Sequence, residues 1–309
     1  MISYETARKR VEHAKKHGLE ETLRHFQITL ETLKRYARIT REDTAEPDQE
    51  PQLPKILVLD VETTPLLIYT WGIYKPRPNH YDIFQDWHLL SWAAKWLLDD
   101  QIFSDVLHPE EAKAHNDARI CKSIWKLVNE ADIIIAHNGK QFDMKRLNAR
   151  FMLNGLKPPA PYLIIDTLIE SRKIAGHSSH KLDFIGELIQ GQGKLVNPRG
   201  LWKDCFWGDA EALKHMEKYN KEDVYLLEDV YLFIRPWIKN HPNVGVYMFA
   251  DEPRCATCGG KSLYEEGSQA SSVGMYRVYR CNECNSLSKE RRTMLPLKNR
   301  RVLLSSATK

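Results

Sequence analysis

Long apolar runs are missing from this chain, and none approaches the roughly 18 residues that a membrane-spanning helix needs. The opening stretch MISYETARKR lacks the apolar centre of a secretory signal. The expectation is a protein without membrane contact that stays in the cytoplasm, that of a host if its source is viral. Cysteine is sparse, six in 309 residues, which sets aside a disulfide scaffold. Internal repeats and low-complexity tracts are also absent, so solenoid and fibrous architectures are excluded. No charge sign dominates: 45 basic residues face 41 acidic ones, and the net charge of +4 alone says little about partners.

What is present is the balance of an ordinary globular protein, 42% hydrophobic and 28% charged, in a chain longer than the usual 100 to 200 residues of one domain. The charges are unevenly placed. Residues 1–41 carry 10 Lys/Arg against 5 Asp/Glu and residues 251–309 carry 11 against 6, which leaves 24 against 30 in the middle. Basic ends around an acidic centre fit a nucleic-acid binder with a carboxylate-lined core, although solvated surface charge gives the same count.

Three segments separate. Residues 1–41 have helical periodicity, and residues 42–54 (EDTAEPDQEPQLP) form an acidic, proline-bearing linker. From 55 to 240 strands and helices alternate. KILVLDVE, LLIYTWGIY and HLLSWAAKWL read as strands, followed by a helix near 109–129, the strand ADIIIAH, a helix near 142–154, the short strand LIID, and helices after Leu182 and across 209–235. This is the pattern of a mixed α/β sheet. A cysteine segment covers 251–292, and the tail 293–309 has little periodic structure.

Chemistry concentrates at three places. Asp60 and Glu62 end the apolar run 56–59, and because strand side chains alternate, both carboxylates share a face while Val61 packs on the other. Two such groups beside a core make sense as ligands of a hard divalent cation, though a solvated strand end accounts for the pair taken alone. Asn138-Gly-Lys-Gln-Phe142-Asp143 follows ADIIIAH and opens a helix, where Asp143 could simply favour the helix N-terminus. Tyr219 and Asp223 stand at i and i+4 on one helical face. Asp166-Thr167 is explained by a helix N-cap and is kept out of the site. Trp71, Trp87, Trp92 and Trp96 could stack on bases, but at strand spacing beside Leu and Ile they read as core.

D-x-E, then N-x-x-x-F-D, then Y-x-x-x-D, in this order and about 80 residues apart, resemble the three exonuclease motifs of the DEDD superfamily in its tyrosine-bearing branch, which includes polymerase proofreading domains. The resemblance spans about residues 55–235. It implies a ribonuclease-H-like fold, a mixed five-stranded sheet with the first strand central and helices on both sides. It also implies two Mg2+ or Mn2+ ions about 4 Å apart. By similarity Asp60 bridges both ions, Glu62 and Asp223 complete the nucleophile-side ion, Asp143 holds the leaving-group ion and Tyr219 orients the attacking water. Thr63, Asn138 and Phe142 would shape the pocket for the terminal nucleotide.

The ends carry their own signals. Cys255, Cys258, Cys281 and Cys284 form two C-x-x-C pairs 22 residues apart, which reads as one structural Zn2+ in a tetrahedral site, and the segment looks like a zinc ribbon. Arg254, Arg277, Arg280, Arg291 and Arg292 tilt it toward nucleic acid, whereas a plain folding staple is the alternative. Residues 18–36 are similar to a helix-turn-helix, with apolar positions 23, 26, 28, 33 and 36 and Thr29 capping a recognition helix that exposes Lys34, Arg35 and Arg38. Leu23 and Gln27 depart from the alanine and glycine that the motif prefers, and a helical hairpin packing on a partner is the alternative.

Together these readings predict a metal-dependent 3′-5′ exonuclease acting on DNA, serving a separate polymerase or repair complex, with the two ends as accessory binding elements. A ribonuclease on the same fold, or a DNA-binding adaptor with a decayed site, are the alternatives.

Overall fold

The structure is a computed structural model that describes residues 4–44, 53–74, 77–191, 197–248, 250–304 and 307. The chain divides into two compact units, Met1–Gln52 and Leu53–Lys309. Among the described residues no helix is long and apolar enough to cross a membrane.

The first unit is three helices: α1 (Tyr4–His17), α2 (Leu19–Phe26) and α3 (Leu30–Thr44). Ala7, Thr22, Leu33 and Tyr36 are buried between them. The α2–α3 turn passes through Gln27 in the left-handed region (φ 49°), the conformation that makes glycine the usual choice there. Thr29 Oγ1 then accepts from the Thr32 amide at 3.2 Å and caps α3. Helix α3 runs to Thr44, three residues into the stretch expected as linker, because Glu42, Asp43 and Thr44 oppose helix only weakly.

The second unit is built on β1 (Ile56–Thr63), β2 (Leu67–Ile68), β3 (Ile83–Gln85), β4 (Leu89–Trp96), β5 (Ile102–Val106), α4 (Pro109–Lys113), α5 (Ala118–Glu130), β6 (Ile133–Ala136), α6 (Asp143–Leu153), β7 (Leu163–Asp166), α7 (Thr167–Ile174), α8 (Leu182–Gln190), α9 (Leu201–Phe206) and α10 (Ala210–Ile234). The main sheet has the order β5-β4-β1-β6-β7, with β1 central as expected. It is mixed: β1 is antiparallel to β4 and parallel to β6. Both faces of β1 are covered, which is why Ile56 to Leu59 is continuously apolar. Leu57, Leu59 and Val61 join one core with residues of α5 and α6, and Val58 joins a second with residues of α8 and α10.

Two expectations are corrected. Residues 66–74 are a strand only at Leu67–Ile68, which pairs with β3 and not with the main sheet. Trp71 is fully exposed rather than core, because its segment leaves the sheet altogether. Trp92 is core and its Nε1 donates to the Ile120 carbonyl (3.0 Å), Trp96 packs against the same cluster, and Trp87 is half-buried. Strand β5 and helices α7 and α9, too short for a clear period, add to what the sequence led one to expect.

One buried acid ties the frame together. Asp117, just before α5, accepts Arg150 Nε (2.6 Å) and Nη2 (2.8 Å), Asn154 Nδ2 (2.9 Å) and the Leu89 amide (2.8 Å), joining α6 and the start of β4 to α5. Burial alone would raise this carboxyl, yet the four donors hold it below the ordinary carboxylate value. Asp117→Ala strands the largely buried Arg150 and is expected to lower unfolding free energy by about 3–5 kcal/mol in denaturant titration. A loss below about 1 kcal/mol, the range of surface pairs, would contradict the clamp.

Candidate active site

The site begins where β1 leaves the core. Pleating turns Val61 into the core and places Asp60 and Glu62 on the opposite face, toward α10. The register with β4 shifts between Glu62 and Thr63, so the strand bends just past the pair. Helix α10 presents Tyr219, Asn220 and Asp223 to this spot, and the carboxylate oxygens of Asp60, Glu62 and Asp223 lie within 4.8 Å of one another.

Two neutral side chains aim these acids. Asn220 donates from Nδ2 to Asp60 Oδ2 (2.5 Å), while its Oδ1 accepts the Ser91 hydroxyl (3.1 Å), which fixes the amide's orientation. Trp202 of α9 donates from Nε1 to Glu62 Oε2 (3.1 Å) and meets the Tyr219 ring edge-on, centroids 6.0 Å apart.

Asp143 arrives from the other side. After β6 the chain turns through Asn138 at φ 66° and Gly139, where a Cβ would sit 2.4 Å from the Ala136 Cβ, so only glycine fits. Asp143 then opens α6, and its Oδ1 accepts the Val61 amide (3.1 Å), the peptide group between Asp60 and Glu62. The turn is held by Asp166, whose carboxylate accepts the amides of Asn138 (3.1 Å), Lys140 (3.0 Å) and Ile169 (3.2 Å). Asp166 is thus an N-cap, as the sequence reading has it, and also the clasp of the loop that delivers Asp143.

The electrostatics follow from this crowding. Burial pushes the Asp143 carboxyl up to about 7 against the amides that donate to it, and the charges of Glu62 and Asp166 push the same way. Burial, then the charges of Asp223 and Glu62, push the Tyr219 phenol upward, so it stays protonated and serves as a donor. Three hard oxygen ligands within 4.8 Å and a fourth acid destabilised as an anion make a donor set that fits divalent cations bound through oxygen. The ions would be held by Asp60, Glu62 and Asp223, with Asp143 beside them.

The remaining expected residues fall in different places. Thr63 is half-buried at the end of β1, and Asn138 and Phe142 are half-buried in the loop before α6. Lys34 and Arg35 are exposed on α3, in the first unit, and the side chain of Arg38 lies outside the described residues. Asn220, Trp202 and the clasp role of Asp166 were missed by sequence reasoning. Asn220 stands three residues before Asp223 on the same helical face, which is the one signal that could have found it.

The cysteines also converge. Sγ of Cys255 lies 3.6 Å from that of Cys284, Sγ of Cys258 lies 3.7 Å from that of Cys281, and all four group within 4.8 Å. Four bonds of about 2.3 Å in a tetrahedron put sulfurs about 3.8 Å apart, so the cage has the size for one thiophilic ion. Amides of Thr257 and Gly260 point at Cys255 and Cys258 Sγ, both at 3.4 Å. The first pair precedes a three-stranded sheet of β8 (Leu263–Ser271), β9 (Gly274–Cys281) and β10 (Leu287–Lys289), the second starts on the last residue of β9, and the helix α11 (Leu297–Arg300) lies in the tail expected to carry little structure. Of the arginines expected to face nucleic acid, Arg254 pairs with Glu252 and Arg280 with Glu266, each at 2.9 Å. Arg291 and Arg292 instead line an open groove with Arg300 and Tyr276.

The clasp generates a prediction. Asp166→Ala leaves three amides without their acceptor, and the Asn138 and Lys140 amides are expected to exchange with solvent about 10- to 100-fold faster, read by hydrogen–deuterium exchange. Unchanged protection there would show that the loop holds itself.

Comparison with known proteins gives the family. A solved family B DNA polymerase from the hyperthermophilic archaeon Pyrobaculum calidifontis is similar over 62% of this chain, at 15% identity and a TM-score of 0.45, and this chain covers 26% of the polymerase. No curated protein matches the sequence. Residues 57–234 match the RNase H superfamily, a span that holds all four acids and Tyr219. The chain therefore belongs to the RNase H superfamily, and nuclease chemistry is the activity that its fold supports.

Proposed function

We propose that this protein is a metal-dependent 3′-5′ exonuclease of the tyrosine-bearing DEDD type, hydrolysing phosphodiester bonds of DNA. The observation that carries the reading is the convergence of Asp60, Glu62 and Asp223 within 4.8 Å, with Asp143 on the amide between the first two. Bound there, a pair of Mg2+ or Mn2+ ions supplies the charge that activates water and steadies the departing oxygen. Asp60, Glu62 and Asp223 would hold the ion that serves the water, and Asp143 with Asp60 the ion that serves the leaving oxygen.

The chain's own groups do the positioning. Tyr219, kept protonated beside Asp223, donates toward the incoming water. Asn220 and Trp202 each hold one carboxylate in its orientation. Thr63, Asn138 and Phe142 form the rim that takes the terminal nucleotide. Four acids and the tyrosine in place argue for an active enzyme over a decayed adaptor, and a ribonuclease on this same site remains the second reading, since the carboxylates engage only the phosphodiester.

The accessory parts follow. The domain limits read from the sequence are 1–41 for a helix-turn-helix-like module, which α3 carries on to Thr44, 42–54 for the linker, 55–240 for the nuclease, 251–292 for a zinc ribbon with Cys255, Cys258, Cys281 and Cys284 on one Zn2+, and 293–309 for the tail. Lys34, Arg35 and Arg38 on the first module contact DNA, and a separate polymerase or repair complex is the partner served, in the cytoplasm.

With 5′-labelled single-stranded DNA, the wild type is expected to give a ladder shortening from the 3′ end in Mg2+ or Mn2+ and none in chelator. Asp60→Ala should lower the rate by 10³-fold or more, on the order expected for lost charge stabilisation at the reacting centre. Faster cleavage of a matched RNA would move the reading to a ribonuclease, and internal cuts would contradict the exonuclease.

A further inference from the structure

Between β1 and β4 the chain leaves the sheet for the 23 residues 65–87, and this excursion is pinched at its neck. The Thr64 amide donates to the His88 carbonyl at 3.0 Å, and the His88 amide to Thr64 Oγ1 at 3.0 Å, both residues being buried. Beyond the neck the arm is built. Strands β2 and β3 pair, the Tyr69 amide donates to the Asp82 carbonyl (2.8 Å), and at the turn His80–Asp82 Asn79 Oδ1 accepts the Tyr81 amide while Asp82 Oδ2 accepts the Asn79 amide, both at 2.8 Å. A connection of this length with its own hydrogen-bonded frame is characteristic of a functional loop.

The described residues of the arm, 65–74 and 77–87, bury almost nothing. Trp71 is 108% exposed, Ile73 97%, Tyr74 85% and Tyr81 84%, and Tyr69 and Phe84 are exposed as well. Scattered exposed apolar residues are ordinary, but seven large ones on one arm, Leu66 included, form a solvent-facing patch. Most are aromatic, and the charged and titratable groups among the described arm residues, Arg77, His80, Asp82 and Asp86, nearly balance. Such a surface offers π-faces rather than a phosphate-binding field.

What lies on it follows from where it starts. The neck residue Thr64 is two positions beyond Glu62, which roots the arm at the end of β1 that carries the carboxylates. The other side of the path is continuous too. Trp87, at the arm's base, carries the Arg146 guanidinium over its ring at 4.0 Å, and the same guanidinium lies 5.4 Å from the Phe142 ring. Arg146 is one turn along α6 from Asp143. A cation and aromatic rings thus join the deep carboxylate to the arm.

We propose that the arm 65–87 is a stacking platform for unpaired bases of the strand whose end is cleaved at the carboxylates, with Trp71 and Tyr74 as its principal rings. This rests on the nuclease reading. It makes single-stranded nucleic acid the favoured substrate and makes its binding tolerant of sequence, because every base offers a π-face.

The test compares two substrates, a twenty-residue oligothymidylate and the p-nitrophenyl ester of thymidine 5′-monophosphate, which has a single base and no strand to lie along the arm. The wild type should show a large gain in kcat/KM for the long strand over the ester. In the double variant Trp71→Ala/Tyr74→Ala that gain should collapse about tenfold or more, carried by KM, and Trp71→Phe should restore most of it. Both side chains are exposed, so the fold is not at stake, and circular dichroism checks this. A gain unchanged in the variant overturns the platform and leaves the patch to a protein partner. Equal losses on both substrates also overturn it, because the arm would then act on the site itself. A wild type inactive on both removes the nuclease reading, and the platform with it.

Discussion

Like charges do not gather beside a hydrophobic core unless something else gathers them. Asp60, Glu62 and Asp223 bring their oxygens within 4.8 Å, and Asp143, burial-raised to about 7, abuts the peptide group between two of them. At an effective dielectric near 20, two unit charges 4.8 Å apart repel by about 3–4 kcal/mol, so three of them are a standing cost of folding. The rest of the domain can be understood as what holds these groups in place until a cation balances them.

The holding is done by neutral donors and by two acids that are not part of the cluster. Asn220 and Trp202 each fix one oxygen of an acid, with Asn220 itself oriented by Ser91. Asp166 clasps the turn before α6, and Asp117 latches α6 to β4 through Arg150 and the Leu89 amide. Each of these acids is satisfied by donors, which is how buried carboxylates persist as structural elements. The cluster acids differ in that they crowd one another, with an oxygen of each of Asp60, Glu62 and Asp223 within 4.8 Å of the others.

Much of this was legible in the sequence, for identifiable reasons. The shared face of Asp60 and Glu62 follows from strand alternation, and that of Tyr219 and Asp223 from helical spacing, both local properties. Asp143 and Asp223 carried no meaning singly, because a helix N-terminus and an exposed helical acid explain each; only the joint order of the three motifs drew them together. In the structure Asp223 joins the Asp60–Glu62 cluster, and Asp143 lies beside it on the Val61 amide. Asn220 and Trp202 act across 160 and 140 residues of chain, distances no local pattern encodes. The misread stretch 66–74 shows the opposite limit. Alternation of β-branched, aromatic and polar residues is the same in a core strand and in an arm facing solvent, and only the absence of a covering layer separates them.

The account stands or falls on whether the acids hold cations at all. The most direct measurement is a Mn2+ titration followed by the electron paramagnetic resonance signal of the free ion, on the wild type and on Asp60→Asn, which keeps the Asn220 contact's shape while removing the charge at the centre of the cluster. Saturable binding by the wild type that is lost or weakened at least tenfold in the variant is the predicted result. Equal binding by the two proteins, or none by the wild type, would contradict the claim that this cluster is a metal-dependent site.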